Sequence, residues 1–220
     1  MKAVVDSLSA SKVSYTVFSD VSIEPTDTSM QQAIDFARTH NFDCFVAVGG
    51  GSVMDTAKIA NLFAHDRQAT LLDYANAPIG KGKPVLIPLA PLVAIPTTSG
   101  TGSETTGTAI FDYKPLKAKI GVSHRALKPT LGLIDAQHTA TMPRNVVAYT
   151  GFDVFCHSLE SYTAIPFNER TPRPTDPKVS HTHTERRRHS QTDRETRTET
   201  HRQSEPNRAE SNTEKETVRM

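Results

Sequence analysis

The chain contains no tryptophan, only two cysteines, and few aromatic residues, 6% of its 220. Apolar residues make up 36%, low for a globular protein, and mean hydropathy is −0.43. No apolar run is long enough for a helix to span a bilayer, which argues against membrane insertion. A net charge of +1 lacks the basic excess that nucleic acid or an anionic surface would attract. Cys44 and Cys156 both lie in apolar sequence, so buried thiols in a reducing compartment are expected rather than a disulfide. The N-terminal MKAVVDSLSASK reads as neither a signal peptide nor an arginine-rich transit peptide. It looks like part of a helix whose upstream partners are missing.

The apolar deficit is concentrated at one end. From Thr171 onward there is no Phe, Tyr or Trp, and Val179, Ala209, Val218 and Met220 are the only apolar residues besides prolines. The stretch THTERRRHSQTDRETRTETHRQ interleaves acids, arginines and hydroxyls without apolar periodicity. Such sequence cannot offset its ordering entropy, so residues 171–220 are expected to form a disordered, solvated tail. Its histidines, His181, His183, His189 and His201, are accordingly not counted as metal ligands. The core belongs to residues 1–161.

Within that part, short strand and helix patterns alternate. Val4, Val5 and Leu8 suggest an N-terminal helix, and the alternation of Val13, Tyr15 and Val17 suggests a strand. Pro25-Thr26-Asp27 is a helix start, and Met30, Ala33, Ile34 and Ala37 form its apolar face. Residues 44–48 form a continuous apolar run, as in a central parallel strand covered on both faces. After Gly49, Gly50 and Gly51, a helix pattern runs to about His65, with Val53, Ala57, Ala60 and Ala64 on one face. One helical turn is expected at residues 71–74 and a loop at 78–84. Further strands are expected at 92–95, 108–111, 119–122 and 131–134, and a largely buried helix at 143–161. This order argues for an α/β unit with ligands at the carboxyl ends of its strands.

Three places carry candidate chemistry. Consecutive glycines permit positive φ and close approach, and Ser52 stands where an N-cap would leave N–H groups free for an anion. A phosphate cradle and a plain tight turn both satisfy these residues. The fingerprint G-x-G-x-x-G is not met, because Met54 occupies its last glycine position. The second place, PTTSGTGSE, follows the expected strand at 92–95 and is dense in hydroxyls. It suits phosphate oxygens or an amide-bearing ring, with a flexible turn as the alternative. Third, Asp153 and His157 are four apart and share a helix face. They form either a hydrogen-bonded core pair or half of a divalent-metal site, which takes about three protein ligands. Lys119 begins a short strand pattern, where a lysine is more often a solvated edge than a ligand contact.

Taken together, GGGSVMDTAK, PTTSGTGSET and GFDVFCHSLES resemble the iron-containing (group III) alcohol dehydrogenase family. DYANAPIGKGKPV and KPTLGLIDAQHTATMP bring the resemblance closer to its mitochondrial hydroxyacid–oxoacid transhydrogenase branch. The resemblance covers residues 1–174 and implies a dehydroquinate synthase-like fold. Residues 1–142 would be a Rossmann-like dinucleotide-binding domain lacking its first strand. Residues 143–170 would begin an all-helical metal-binding domain that is otherwise missing. By resemblance, Gly49, Gly50, Gly51 and Ser52 would hold the pyrophosphate of NAD(H), with Asp55 and Lys58 in the same motif. Thr97, Thr98 and Thr101 would lie near the nicotinamide and its ribose, and Lys119 would touch the cofactor. Asp153 and His157 would be the first two ligands of an iron or zinc ion, in a site that is incomplete here. The implied reaction oxidises 4-hydroxybutyrate to succinate semialdehyde while reducing 2-oxoglutarate to 2-hydroxyglutarate. The resemblance also implies a mitochondrial location and small hydroxy-acid and oxo-acid substrates, and it admits a homo-oligomer. The alternatives are a catalytically silent nucleotide-binding fragment and an NAD-dependent alcohol dehydrogenase of the same family.

Overall fold

The computed structural model describes residues 2–166 and residue 169. The tail expected at 171–220 lies outside these residues. The strands of the described residues form two sheets. In the first, β1 (Phe45–Gly49) pairs in parallel with β2 (Leu92–Pro96), and β2 pairs in parallel with the two-residue β5 (Leu131–Gly132). The second sheet is the antiparallel hairpin of β3 (Thr108–Tyr113) and β4 (Ala118–Ser123). The β1–β2 register sets Phe45 opposite Leu92 and Gly49 opposite Pro96. Parallel pairing therefore brings the loops that follow β1 and β2 to the same end of the sheet. That end is where ligands bind in open α/β sheets.

Helix α3 (Gly51–His65) joins the layers. Its Ile59, Leu62 and Phe63 pack with Met30 and Ile34 of α2 (Asp27–Arg38) and with Ala109, Phe111, Ile120 and Val122 of the hairpin. On the side facing the parallel sheet, Met54 packs with Ala47, Leu92 and Ala94. Helix α2 starts where its cap predicts. The Thr26 hydroxyl accepts from the Ser29 amide at 3.2 Å, and Ser29 Oγ accepts from the Thr26 amide at 2.8 Å. Its far end is tied to α3 by Arg38, which donates to the carbonyls of Phe63 at 3.2 Å and Ala69 at 2.8 Å.

The short helix α4 (Leu71–Tyr74) opens a loop held by one buried carboxylate. Asp73 Oδ2 accepts from the Thr70 amide and hydroxyl, both at 2.8 Å, while Oδ1 accepts from Lys81 at 2.9 Å and Lys83 at 3.0 Å. The Thr70 amide first, and then the two ammonium groups, hold this carboxyl well below the usual carboxylate range. Beside it, the Tyr74 hydroxyl donates to Asp66 at 2.6 Å. Burial, with that partner adding to it, pushes the phenol up to about 12.

The structure corrects several expectations. Residues 13–17 form no strand, because no described strand pairs with them, and Val13, Tyr15 and Val17 are exposed. Alternation marks a segment suited to a ladder, but a ladder needs a neighbour. Strand β1 is an edge of its three-stranded sheet rather than a central strand, and Val46 is 43% exposed. Both Cys44 and Cys156 are exposed rather than buried. Helix α5 (Arg144–Thr163) covers the expected span, yet Ser161 is its one buried residue, and Phe152 and Phe155 are 70% and 62% exposed. Apolar residues all round a helix predict burial only where other chain surfaces surround it. The N-terminal helix is observed as α1 (Lys2–Ala10).

Candidate functional site

The site begins with the start of α3. Its N-cap is Gly50, two residues earlier than the expected Ser52, and the cap has no side chain to bond the first-turn amides. The first N–H groups of a helix have no partner within it, and the dipole of a 15-residue helix favours negative charge there. Of the two reasons expected for the glycines, positive φ and close approach, the structure shows the second. None of Gly49, Gly50 and Gly51 has positive φ; among the described glycines only Gly82 and Gly102 do. What they allow is close approach. A Cβ on Gly50 would stand 3.2 Å from the Thr98 hydroxyl, and one on Gly51 would stand 3.0 Å from the Thr101 methyl. At Gly49 it would meet Val53 Cγ2 at 2.4 Å.

The hydroxyl-rich loop thus lies directly against the glycine turn. Its first residue, Thr97, extends the strand pairing by donating its amide to the Gly49 carbonyl at 2.9 Å. The left-handed Gly102, at φ 63°, then turns the chain into a short helical turn over Ser103–Thr105.

Beneath this loop Lys58 is 1% exposed. Its ammonium donates to Ser103 Oγ at 2.6 Å, the Thr108 carbonyl at 2.8 Å, and Thr106 Oγ1 and Asp55 Oδ1 at 3.3 Å each. Asp55 also accepts from Ser103 Oγ at 2.6 Å and from the Ile110 amide at 3.0 Å. Burial lowers the Lys58 pKa, and the Asp55 charge opposes that shift. Both side chains therefore bond the start of α3 to the hydroxyl-rich loop and to β3. Ser103 and Thr106 were not singled out by the sequence, although they stand in the same hydroxyl-dense loop.

Lys119 stands apart from these loops in its contacts. On β4 it pairs with Glu24 and, at 3.6 Å, with Asp112, its cross-strand neighbour. The Glu24 carboxylate is the main cause of its raised pKa.

The third element approaches through α5. A Cβ on Gly100 would meet Thr150 Cβ at 2.7 Å, so the hydroxyl-rich loop touches α5 at Thr150. Asp153 and His157 follow Thr150 by three and seven residues and share its helix face. His157 Nδ1 lies 3.8 Å from Asp153 Oδ2, and both side chains are partly exposed. An oxygen and an imidazole on one face suit a divalent cation. No group of three His, Cys, Asp or Glu that could hold a metal ion stands together among the described residues.

A parallel sheet whose adjacent strand ends carry a glycine turn and a hydroxyl-rich loop defines a Rossmann-like α/β unit. The chain belongs to the iron-containing alcohol dehydrogenase family, whose profile matches residues 1–136. It is 61% identical over 177 residues to the mitochondrial hydroxyacid–oxoacid transhydrogenase of Mus musculus and 59% identical to that of Homo sapiens. Each match takes in 80% of this chain and 38% of the relative, so the chain spans well under half the length of these proteins. Among solved structures it is similar to the NADH-dependent butanol dehydrogenase A of Thermotoga maritima, with TM-score 0.67 and 29% identity over 74% of this chain and 39% of that one. It is also similar to the sulfoacetaldehyde reductase of Bifidobacterium kashiwanohense in complex with NAD+, with TM-score 0.62 and 31% identity over 73% of this chain and 43% of that one.

Proposed function

We propose that the chain carries the cofactor-binding part of a metal-assisted, NAD-dependent oxidoreductase acting on hydroxyl groups, with the substrates of the hydroxyacid–oxoacid transhydrogenases. The reaction would oxidise 4-hydroxybutyrate to succinate semialdehyde and reduce 2-oxoglutarate to 2-hydroxyglutarate. The observation that carries this reading is the juxtaposition of three features: the bare helix start, the hydroxyl-rich loop against it, and the Asp–His face of α5 against that loop. The relatives named as transhydrogenases, 61% and 59% identical over 177 residues, support the choice of substrates.

The geometry supports the following roles. The Gly50 cap amide and the first-turn amides of Gly51 and Ser52 would donate to the pyrophosphate, and Gly49 lets β1 end flush against α3. Thr97, Thr98 and Thr101 would offer hydroxyls to the ribose and nicotinamide amide. Lys119 would contribute only by leaving Glu24 and Asp112. Asp153 and His157 would hold one side of an iron or zinc ion. When bound, the nicotinamide carries the hydride and the cation polarises the substrate oxygen as a Lewis acid. In this reading residues 1–142 form the cofactor unit and residues 143–170 open the metal-binding part, in a protein that works in mitochondria like its named relatives.

A second reading is a catalytically silent nucleotide-binding chain, favoured by a donor set of two, Asp153 and His157, among the described residues. Calorimetric titration of the full chain with NAD+, followed by assay of 2-oxoglutarate-dependent oxidation of 4-hydroxybutyrate with Fe(II) or Zn(II), separates the two. Binding with turnover supports the first reading, and binding without turnover selects the second. Absence of NAD+ binding overturns the cofactor assignment.

A further inference from the structure

We propose that Lys58 is a positioning residue, whose buried ammonium locks the hydroxyl-rich loop against the helix that begins in the glycine turn. The proposal rests on the cofactor reading above for its functional consequence, and on side-chain geometry alone for the lock itself. A fully buried lysine is costly unless every hydrogen finds an acceptor. A helix that needed only filling at this position would carry leucine or methionine.

The direction of its bonds identifies the role. Three of its four acceptors, Ser103 Oγ, Thr106 Oγ1 and the Thr108 carbonyl, lie 45 to 50 residues away on the loop and the start of β3. The fourth, Asp55, lies one turn back on α3 and reaches the same segment through Ser103 and the Ile110 amide. An ammonium has three hydrogens. Two serve the short bonds at 2.6 and 2.8 Å, and the third is shared by Thr106 and Asp55, at 3.3 Å each.

From Ser103 the chain of contacts continues to the glycine turn. The Ser103 amide donates to Thr101 Oγ1 at 3.2 Å, and Thr101 is the side chain that Gly51 faces. Three links therefore connect a buried charge to the wall of the cradle. Lys58 bonds none of the cradle glycines, yet it fixes how far the glycine turn and the hydroxyl-rich loop stand apart. Burial holds its pKa below that of a free lysine, and the Asp55 charge opposes the shift.

The test compares the full chain with Lys58→Met, which keeps the length and removes the donors, and with Ser103→Ala, which removes one link. Hydrogen exchange reads the amides of Ser103, Thr105 and Thr106, and calorimetry reads NAD+ affinity. In Lys58→Met those three amides exchange about tenfold faster while Phe111 and Val122 of the hairpin keep their protection, and the Kd for NAD+ rises about tenfold. Ser103→Ala moves both readouts in the same direction by less. Unchanged loop exchange in Lys58→Met, even with a lower melting temperature, overturns the proposal and makes Lys58 a core filler. Faster exchange with unchanged NAD+ affinity overturns the positioning role at the cradle. If the unaltered chain binds no NAD+, the cofactor reading fails separately, and loop exchange alone decides whether the lock exists. If Lys58→Met does not fold, Ser103→Ala decides through the same measurements.

Discussion

The same substitution, glycine to alanine, should act in opposite directions at two positions of this chain. At Gly49 the added Cβ would stand 2.4 Å from Val53 Cγ2 and 2.6 Å from Val53 Cβ. The first contact can be relieved by turning the valine, but the second cannot, because Cβ is fixed by the backbone. The end of β1 must therefore move away from α3. Overpacking of this kind costs about 1–3 kcal/mol, partly offset by about 0.5 kcal/mol from the stiffer unfolded chain. Gly49 also accepts the Thr97 amide at 2.9 Å, so the shift spreads the glycine turn from the hydroxyl-rich loop. At Gly151, inside α5, a Cβ meets nothing within 4 Å. Alanine there gains about 0.5–1 kcal/mol of helix propensity. For a domain of this size each kcal/mol moves the melting temperature by about 2–4 °C. Thermal melts of Gly49→Ala should thus fall by several degrees while those of Gly151→Ala rise, and NAD+ affinity should drop only in Gly49→Ala. Two shifts in the same direction would refute the claim that close approach, rather than backbone freedom, is what Gly49 supplies.

Three further outcomes follow from the same structure. Because the Thr70 amide, Lys81 and Lys83 depress the folded pKa of Asp73, its stabilisation is present above the unfolded value of about 3.9 and is lost as pH falls below it. Urea unfolding at neutral and acid pH should show a weaker acid loss in Asp73→Asn. Tyr74 has the reverse sign, since its folded pKa of about 12 lies above the unfolded value of about 10. Stability is intact below about pH 10 and is lost as pH rises toward 12, so Tyr74→Phe should flatten the alkaline limb, with tyrosinate absorbance as the readout. Thr26→Ala removes the capping box of α2 and should cost about 1 kcal/mol in denaturant unfolding, without changing NAD+ affinity.

What the sequence determined by itself was local chemistry. The glycine turn opening a helix to His65, the Thr26 start of α2 and the single turn at residues 71–74 depend on caps and apolar spacing within a few residues. The three motifs carried the family, which the profile match and the transhydrogenase relatives bear out. Tertiary structure decided what depends on distant partners. Residues 13–17 have the alternation of a strand but no paired neighbour, and α5 has the composition of an interior helix but an exposed surface. Spacing could place Asp55 and Lys58 in one motif, but not reveal that both bond Ser103, 45 and more residues further on. Parallel pairing of β1 with β2 is what brings the glycine turn and the hydroxyl-rich loop together. The physical reason is range: capping and periodicity act over one or two turns of chain, whereas burial, strand pairing and a buried ammonium's acceptors are set by whichever distant segments fold alongside.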